Sequence, residues 1–466
     1  MYKMTSGFET HVELKTNTKI FCSCSNEFGA EPNSRCCPVC VGLPGAMPRL
    51  NKSVVEFAVK AGLALNCKIS NLSYMDRKNY SYPDLPKAYQ ISQFDVPLCY
   101  DGFVELSSGK KIGITRIHIE EDAGKLIHKD DEILIDYNRA GVPLIEIVSE
   151  PHIESVEEAK EFVEKLRLIM RYTEVSDCKM QEGSMRCDVN VSVSDSDVLG
   201  TRTEIKNMNS IANIQKAMEY EFKRQIAVLE KGGKVTQETL GYDEKTGTTY
   251  SMRTKEDADD YRFFREPDLL PLHISDEDID QIRKTLPELP DQKIKRYVSD
   301  FGMDKKDAQL LAKYPKVAEF FEKASVGVSS PKKVANFILG VIFAFLKSET
   351  LKEEFKLKIS PEGLKELVLL NESGKLNMSK AKLTLEQMLL SGKRAEELLS
   401  DEDLEGFDDN MLLSMCKKAV DANPKIVADY KAGKDKAIMA LVGFVMRESK
   451  GRADAGKAKE KIIEII

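Results

Sequence analysis

Long apolar runs are missing from this chain of 466 residues: nothing approaches the roughly 18 consecutive apolar positions of a membrane-spanning helix. The longest such stretch, Phe337 to Leu346, is enough for one short buried helix. The opening, MYKMTSGFETHVELK, has neither the apolar core of a signal peptide nor the Arg- and Ser-rich texture of a transit peptide. A cytoplasmic location, away from membranes, is therefore expected. An excess of basic charge is missing too. Lys and Arg number 69 against 76 Asp and Glu, a net charge of -7, which argues against indiscriminate nucleic-acid binding. No G-x-x-x-x-G-K-[ST] loop occurs, because Gly109-Lys110-Lys111 and Gly374-Lys375 lack its flanks, and no G-x-G-x-x-G opens a helix after a strand. Any use of ATP must then lie outside the P-loop and dinucleotide folds. A G-x-S-x-G elbow, internal repeats and coiled-coil heptads are likewise absent.

What is present is a globular mixture, 42% apolar and 31% charged, long enough for about three domains. The charge is uneven. Residues 410–466 hold 12 Lys and Arg against 7 Asp and Glu, a local +5, which leaves -12 for the other 409 residues. A basic end on an acidic body can grip a polyanion, although the same lysines would also solvate a small helical domain. Five of the ten cysteines fall between Cys22 and Cys40, a local clip rather than the spread of a secreted disulfide scaffold.

Period-two alternation marks four strands. Phe8, Val12 and Leu14 oppose Glu9, His11 and Glu13; Ile117 and Ile119 oppose Arg116, His118 and Glu120. Cys187, Val189, Val191 and Val193 oppose Asp188, Asn190 and Ser192, and Arg202, Glu204 and Lys206 share a side. A sheet with one buried face accounts for all four. Two helices interrupt it: one with a capping box at Ser155 and Glu158, and one over Ser210 to Leu229. Beyond Leu286-Pro-Glu-Leu-Pro the texture turns helical, with a further break at the acidic Leu399 to Asp409, where Phe407-Asp-Asp-Asn resembles a helix start. The prediction is an α+β fold. A mixed, mainly antiparallel sheet cradle spans about 1–290, an all-helical domain 291–404, and a small helical tail 405–466, with Gly451 to Gly456 as a polar loop.

Two constellations carry chemistry. Cys22-x-Cys24 and Cys37-Pro-Val-Cys40, joined by a 12-residue loop, can offer four thiolates tetrahedrally to a structural zinc that has no open position. Cys36 could replace Cys37, although the spacing favours Cys37; a group of buried cysteines would read the same way. The second set is Glu9 and His11, then Glu120, Glu121 and Asp122, then Glu146 and Glu150, then Asp188 and Asn190. Carboxylates with a histidine at strand ends suit magnesium beside substrate phosphates, while a solvated outer face would look similar. The stretch from Tyr80 to Gln93, dense in aromatic, amide and hydroxyl groups, could line a nucleotide or RNA pocket or be a stiff surface loop.

Long blocks then point to a family. HVELKTNTKIF, CPVCVGLPGA, DRKNYSYPDLPKAYQISQFDVPL, GITRIHIEEDAGK, PLIEIVSEP, KMQEGSMRCDVNVSV, DDYRFFREPDL and VGFVMRESKGRADAG resemble, in order, the B subunits of the aspartyl/glutamyl-tRNA amidotransferases. The resemblance implies ATP-dependent phosphorylation of the side-chain carboxylate of Glu-tRNA(Gln) or Asp-tRNA(Asn), then displacement of phosphate by ammonia. The implied partners are the amidase (A) and small (C) components of a heterotrimer, and the misacylated tRNA. By the same resemblance Glu9, His11, Glu120 and Glu121 belong to a magnesium site, Glu150 and Asp188 to its polar shell, and Arg116, Lys125 and Lys206 to phosphate contacts. Cys22, Cys24, Cys37 and Cys40 match a zinc knuckle that some members carry, and the tail matches a tRNA-binding domain. The family opening Gly-Leu-Glu-Val-His is here Gly7-Phe8-Glu9-Thr10-His11. A non-catalytic, zinc-stabilised tRNA-binding scaffold is the alternative.

Overall fold

The computed structural model describes residues 2–254, 261–400, 403, 409–449 and 453–466. Its main sheet has nine strands: β1 (Lys3–Glu13), β2 (Lys68–Ile69), β3 (Cys99–Glu105), β4 (Lys111–Glu121), β5 (Pro143–Ser149), β6 (Met185–Ser194), β7 (Thr203–Lys206), β8 (Glu238–Asp243) and β9 (Thr248–Thr254). In space they run β9-β8-β7-β6-β1-β5-β4-β3-β2, and only β7 and β8 pair in parallel. The chain therefore has the mixed, mainly antiparallel α+β architecture that its alternation predicts.

The apolar half of each strand faces helices. Phe8 and Val12 of β1, Ile117 and Ile119 of β4, Ile145 and Ile147 of β5, and Val189 and Val191 of β6 all sit in one core. Against them pack α1 (Lys52–Ala64), α2 (Val156–Tyr172) and α3 (Ile211–Glu230). Phe8 and Phe162 bring their rings to 5.6 Å, joining β1 to α2. With the helices on one face, the opposite face of the central strands is left to polar side chains. That division creates the site.

Local signals explain most helix ends, with one correction. Ser155 Oγ accepts from the Glu158 amide at 3.1 Å, but the Glu158 carboxylate accepts from the Glu154 amide at 2.9 Å and pairs with Lys110. The expected capping box is thus only half formed, because a lysine from the neighbouring strand end recruits the glutamate. Two further helices, α1 and Asp276–Lys284, are additions to the predicted elements, capped by Asn51 and Ser275. Both lie in a region read mainly as strands and turns.

A three-stranded sheet joins Phe264–Arg265, Asp76–Asn79 and Tyr89–Ser92, and Lys125–Lys129 forms a hairpin with Glu132–Asp136. These strands belong to a compact unit ending at Leu289. A second unit, Pro290–Ile466, is helical in its described residues and holds two separate cores, one from Tyr297 to Leu399 and one from Leu412 to Ile462. The apolar stretch at Phe337 is buried over most of its length, with Phe345 exposed, and its centre, Ile338–Ile342, winds as a π-turn. The boundary expected at 404/405, Phe407 and the start of the Gly451 loop lie outside the described residues.

Because Phe162 is fully buried between α2 and β1, Phe162→Ala should lower unfolding stability by about 3–5 kcal/mol. Phe28→Ala, at a ring 75% exposed, should change it by less than about 0.5 kcal/mol. Urea denaturation of both variants tests the assignment of this face as the core; equal effects would refute it.

Candidate active site

Three adjacent strands set the centre of the polar face. The register aligns His11 of β1 with Glu146 of β5, and Glu146 with His118 of β4. Glu120, two residues beyond His118, returns to the same face. His11 Nε2 lies 3.1 Å from Glu120 Oε1 and 3.5 Å from Glu146 Oε2; His118 Nε2 lies 3.7 Å from Glu120 Oε2 and 3.3 Å from Glu146 Oε2. Glu120, Glu146 and His118 are buried and His11 is half-buried.

Burial alone would strip the charge from these groups, but they compensate one another. Burial pulls both imidazoles down, yet the two carboxylates outweigh it, raising His11 to about 10 and His118 to about 9. Burial likewise pushes Glu120 up, and hydrogen bonds from the two histidines overcome it, leaving Glu120 at about 2 and Glu146 well below the usual carboxylate range. The quartet is two imidazoliums against two carboxylates. His118 Nδ1 is buried without a hydrogen-bond partner among the described residues, so the balance of charge is better met than the balance of hydrogen bonds.

Further charges ring this quartet. Asp122 accepts from Arg186 Nη2 at 2.6 Å and lies 3.5 Å from Arg139 Nε. Glu13, two residues from His11 on the same side of β1, is pushed up to about 7 by burial, with the Asp122 charge adding to it. Lys206 Nζ bridges Asp188 Oδ2 at 2.5 Å and Glu204 Oε1 at 2.9 Å. Glu9 accepts from Asn190 Nδ2 at 3.0 Å.

The ligand atoms of His11, Glu120 and Glu146 all lie within 4.8 Å of one another. An octahedral cation with oxygen bonds of about 2.1 Å puts adjacent donors about 3 Å apart, close to the His11–Glu120 separation. The donor set fits a divalent ion. Separately, the thiols of Cys22, Cys24, Cys37 and Cys40 form a second group within 4.8 Å. Cys40 Sγ is 3.7 Å from Cys37 Sγ and 4.0 Å from Cys24 Sγ, near the roughly 3.8 Å edge of a tetrahedral tetrathiolate site. The hydrogen bond from Cys22 pulls the Cys40 thiol down to about 4 against its burial, aided by the Cys37 amide and the fully buried Lys19 ammonium. Cys36 turns away toward Asn138 Oδ1, so the geometry selects Cys37.

Comparison with known proteins places this face in a family. Residues 4–280 match the model of the GatB/GatE catalytic domain, and residues 319–466 match the GatB domain. The B subunit of an aspartyl/glutamyl-tRNA(Asn/Gln) amidotransferase from Thermoanaerobacter pseudethanolicus is 53% identical over 460 residues, covering 97% of each chain. Proteins of the same name from Caldicellulosiruptor saccharolyticus and Carboxydothermus hydrogenoformans are each 50% identical, over 99% and 97% of this chain and 98% and 96% of theirs. This chain belongs to the family of amidotransferase B subunits.

Within that family frame, the structure gathers some of the residues named from sequence and separates others. His11 and Glu120 meet in the quartet. Glu9 lies on the same face but bonds Asn190 instead. Glu121 follows Glu120 directly on a strand and so points to the opposite side. There its carboxylate accepts from the Ile91 amide at 2.9 Å and pairs with Lys87 at 2.7 Å. Glu150 is tied to Thr115 at 2.7 Å, at the bulge five residues down β4 and about 17 Å from Glu120 at strand spacing. Asp188 and Lys206 engage each other, while Arg116, beside His118 on the polar face, and Lys125, on the hairpin, make no ion pair among the described residues. Glu146, named in the sequence among the carboxylates that suit magnesium, and His118, named there only for its strand face, are the members that the family resemblance leaves out of the metal site. A lone glutamate inside the apolar run Pro143-Leu-Ile-Glu-Ile-Val was the available signal for Glu146.

Cation binding at this site competes with protonation, since an imidazole nitrogen that ligates a metal must lose its proton. With His11 near 10 and His118 near 9, both carry protons at neutral pH. Titrating magnesium or manganese near pH 7.5 should release about one proton per ion, and the release should fade above about pH 10. Calorimetry in buffers of different ionisation enthalpy reads this directly; a binding heat independent of buffer would count against His11 as a ligand.

Proposed function

We propose that this chain activates the side-chain carboxylate of Glu-tRNA(Gln), Asp-tRNA(Asn) or both with ATP, for amidation by ammonia. The carrying observation is the buried, charge-balanced quartet at the centre of the region matching the family's catalytic domain. A carboxylate is a poor electrophile, so its oxygen first attacks the γ-phosphorus of ATP and ADP departs. Ammonia then attacks the acyl carbon, and phosphate leaves with the electron pair of the broken C–O bond. In this reading Arg116 and Lys125, cations without carboxylate partners among the described residues, contact phosphate. Lys206, already shared by Asp188 and Glu204, holds that part of the face in place. Glu13, near 7, is matched to taking the proton that the attacking ammonia loses. Glu9 and Glu150 supply the outer polar shell, and Glu121 braces the strand end through Lys87 and Ile91.

Magnesium is the ion we assign to His11, Glu120 and Glu146; when bound it neutralises charge on the transferred phosphoryl group. Zinc is assigned to Cys22, Cys24, Cys37 and Cys40 as a structural ion, because four thiolates leave no position for water. The amidase (A) component supplies ammonia, the small (C) component completes the heterotrimer, and the compartment is the cytoplasm. Residues 405–466, with their +5 over 410–466, form a tRNA-gripping tail beyond a helical domain over 291–404.

Glu120→Gln keeps the shape of the quartet and removes one charge. It should reduce amidated tRNA more than a hundredfold, about 3 kcal/mol, while leaving glutamine hydrolysis by the partner amidase measurable. Amidation at near-normal rates in this variant and in His11→Ala would place the chemistry elsewhere. If the assembled complex hydrolyses no ATP in response to misacylated tRNA, the chain is a tRNA-binding scaffold instead.

The zinc assignment has its own test. Purified protein should contain about one zinc per chain, and the double variant Cys37→Ser, Cys40→Ser should lose both the ion and thermal stability. Stoichiometric zinc retained by that variant, measured by atomic emission, would refute the site.

A further inference from the structure

The aromatic residues around the small three-stranded sheet have no part in the reaction described above. That sheet is fastened to the last residue of β4, next in sequence to Glu120: the Ile91 amide donates to Glu121 Oε1 at 2.9 Å, and Gln90 Nε2 donates to the Glu121 carbonyl at 2.7 Å. Its middle strand, Asp76–Asn79, continues into Tyr80, where a series of rings begins. Tyr80 and Tyr261 have centroids 5.9 Å apart, nearly edge-on; Tyr261 and Phe263 follow at 6.0 Å; Phe263 and Phe94 stack at 4.1 Å with planes 9° apart. The inner end follows a strand whose partner, Tyr89–Ser92, is bonded to Glu121, next in sequence to Glu120. Burial raises the Tyr80 hydroxyl, and the nearby carboxylates of Glu120, Asp84 and Glu121 add to that effect. The outer end is in solvent, for Phe94 is 56% exposed.

One cation accompanies the rings. Lys78 Nζ lies 4.8 Å above Tyr261 and 5.9 Å from Tyr80, and it has no carboxylate partner among the described residues. Its neighbours differ: Arg77 is clasped by Glu266, Arg265 by Asp76 and Lys87 by Glu121. Among the described residues, Lys78 is therefore the cation of this sheet left for an outside anion. Rings in series with an unpaired lysine suit single-stranded nucleic acid, whose bases stack on aromatic faces whatever their sequence. A free nucleotide offers one base, whereas the ladder continues over four rings. An aminoacyl group esterified to a terminal ribose also has to lead back to the quartet, where the ladder starts.

We propose that Phe94, Phe263, Tyr261 and Tyr80, with Lys78, seat the unpaired 3′ end of the aminoacylated tRNA, bases on the rings and a backbone phosphate on Lys78. This rests on the function proposed above and adds where its substrate is held. In the assembled complex, Phe94→Ala should weaken binding of cognate tRNA about tenfold, about 1.4 kcal/mol, leave the dissociation constant for ATP unchanged, and be rescued by Phe94→Trp. The loss should vanish with tRNA trimmed of its unpaired 3′ nucleotides. Lys78→Met should flatten the salt dependence of tRNA binding by about one unit of slope. Weakened ATP binding with unchanged tRNA binding would make the ladder an adenine site and overturn the proposal. Unchanged values for both ligands would reduce it to surface packing and overturn it as well. Failure of the wild-type complex to bind tRNA would overturn the parent reading, whereas normal tRNA binding that ignores Phe94 and Lys78 overturns this one alone.

Discussion

Ionisable groups taken out of water in the middle of a sheet persist only if their charges cancel, since each uncompensated buried charge costs several kcal/mol. His11, His118, Glu120 and Glu146 meet that condition together and not singly. The condition also fixes register. Glu146 sits between Ile145 and Ile147, which are fully or almost fully buried on the helix side. A slip of β5 by one residue would drive the carboxylate into the apolar core and expose both isoleucines. Hydrophobic burial and charge compensation therefore select the same pairing of β5 with β1 and β4, the consistency between levels that gives a sequence one native arrangement.

Polar satisfaction spreads outward from this centre. Arg186 and Arg139 converge on Asp122, and Lys206 ties Asp188 to Glu204. The cysteine knuckle is stitched to the same region by backbone and side-chain bonds. The Asn33 amide donates to Asp136 Oδ1 at 2.9 Å, the Arg35 amide to Asn138 Oδ1 at 2.8 Å, and buried Lys19 to the Tyr137 carbonyl at 3.2 Å. Past that segment, the Gly141 amide donates to the Asp122 carbonyl at 3.0 Å and the Ile20 amide to the Gly141 carbonyl at 2.9 Å. A metal bound by the four thiols would thus steady a loop whose other end supports the rim of the polar face.

Much of this was legible in the residues alone. Period-two alternation in β1, β4 and β6 separates apolar from polar positions, so the existence of one polar face follows from sequence. The Cys22, Cys24, Cys37 and Cys40 spacing marks the knuckle, and Ser155 and Ser210 mark two helix starts. The same alternation already assigns Glu120 and Glu121 to opposite sides. Reading them as a pair gave adjacency in sequence more weight than the pleat, and the structure separates them for that reason.

What only the tertiary structure decided concerns partners distant along the chain. No periodicity says that β1 lies between β5 and β6, so nothing in the sequence brings Glu146 and His118 to His11; cross-strand register does, and it depends on packing by helices contributed from elsewhere. The choice of Cys37 over Cys36 waits on Asn138, about a hundred residues away, and the second arm of the Ser155 cap is lost to Lys110 in the turn before β4. Sequence determines which side of a strand or helix a residue takes, because that is set by local backbone geometry. Which charges meet across the sheet is set by the pairing of remote segments, and only the folded chain fixes it.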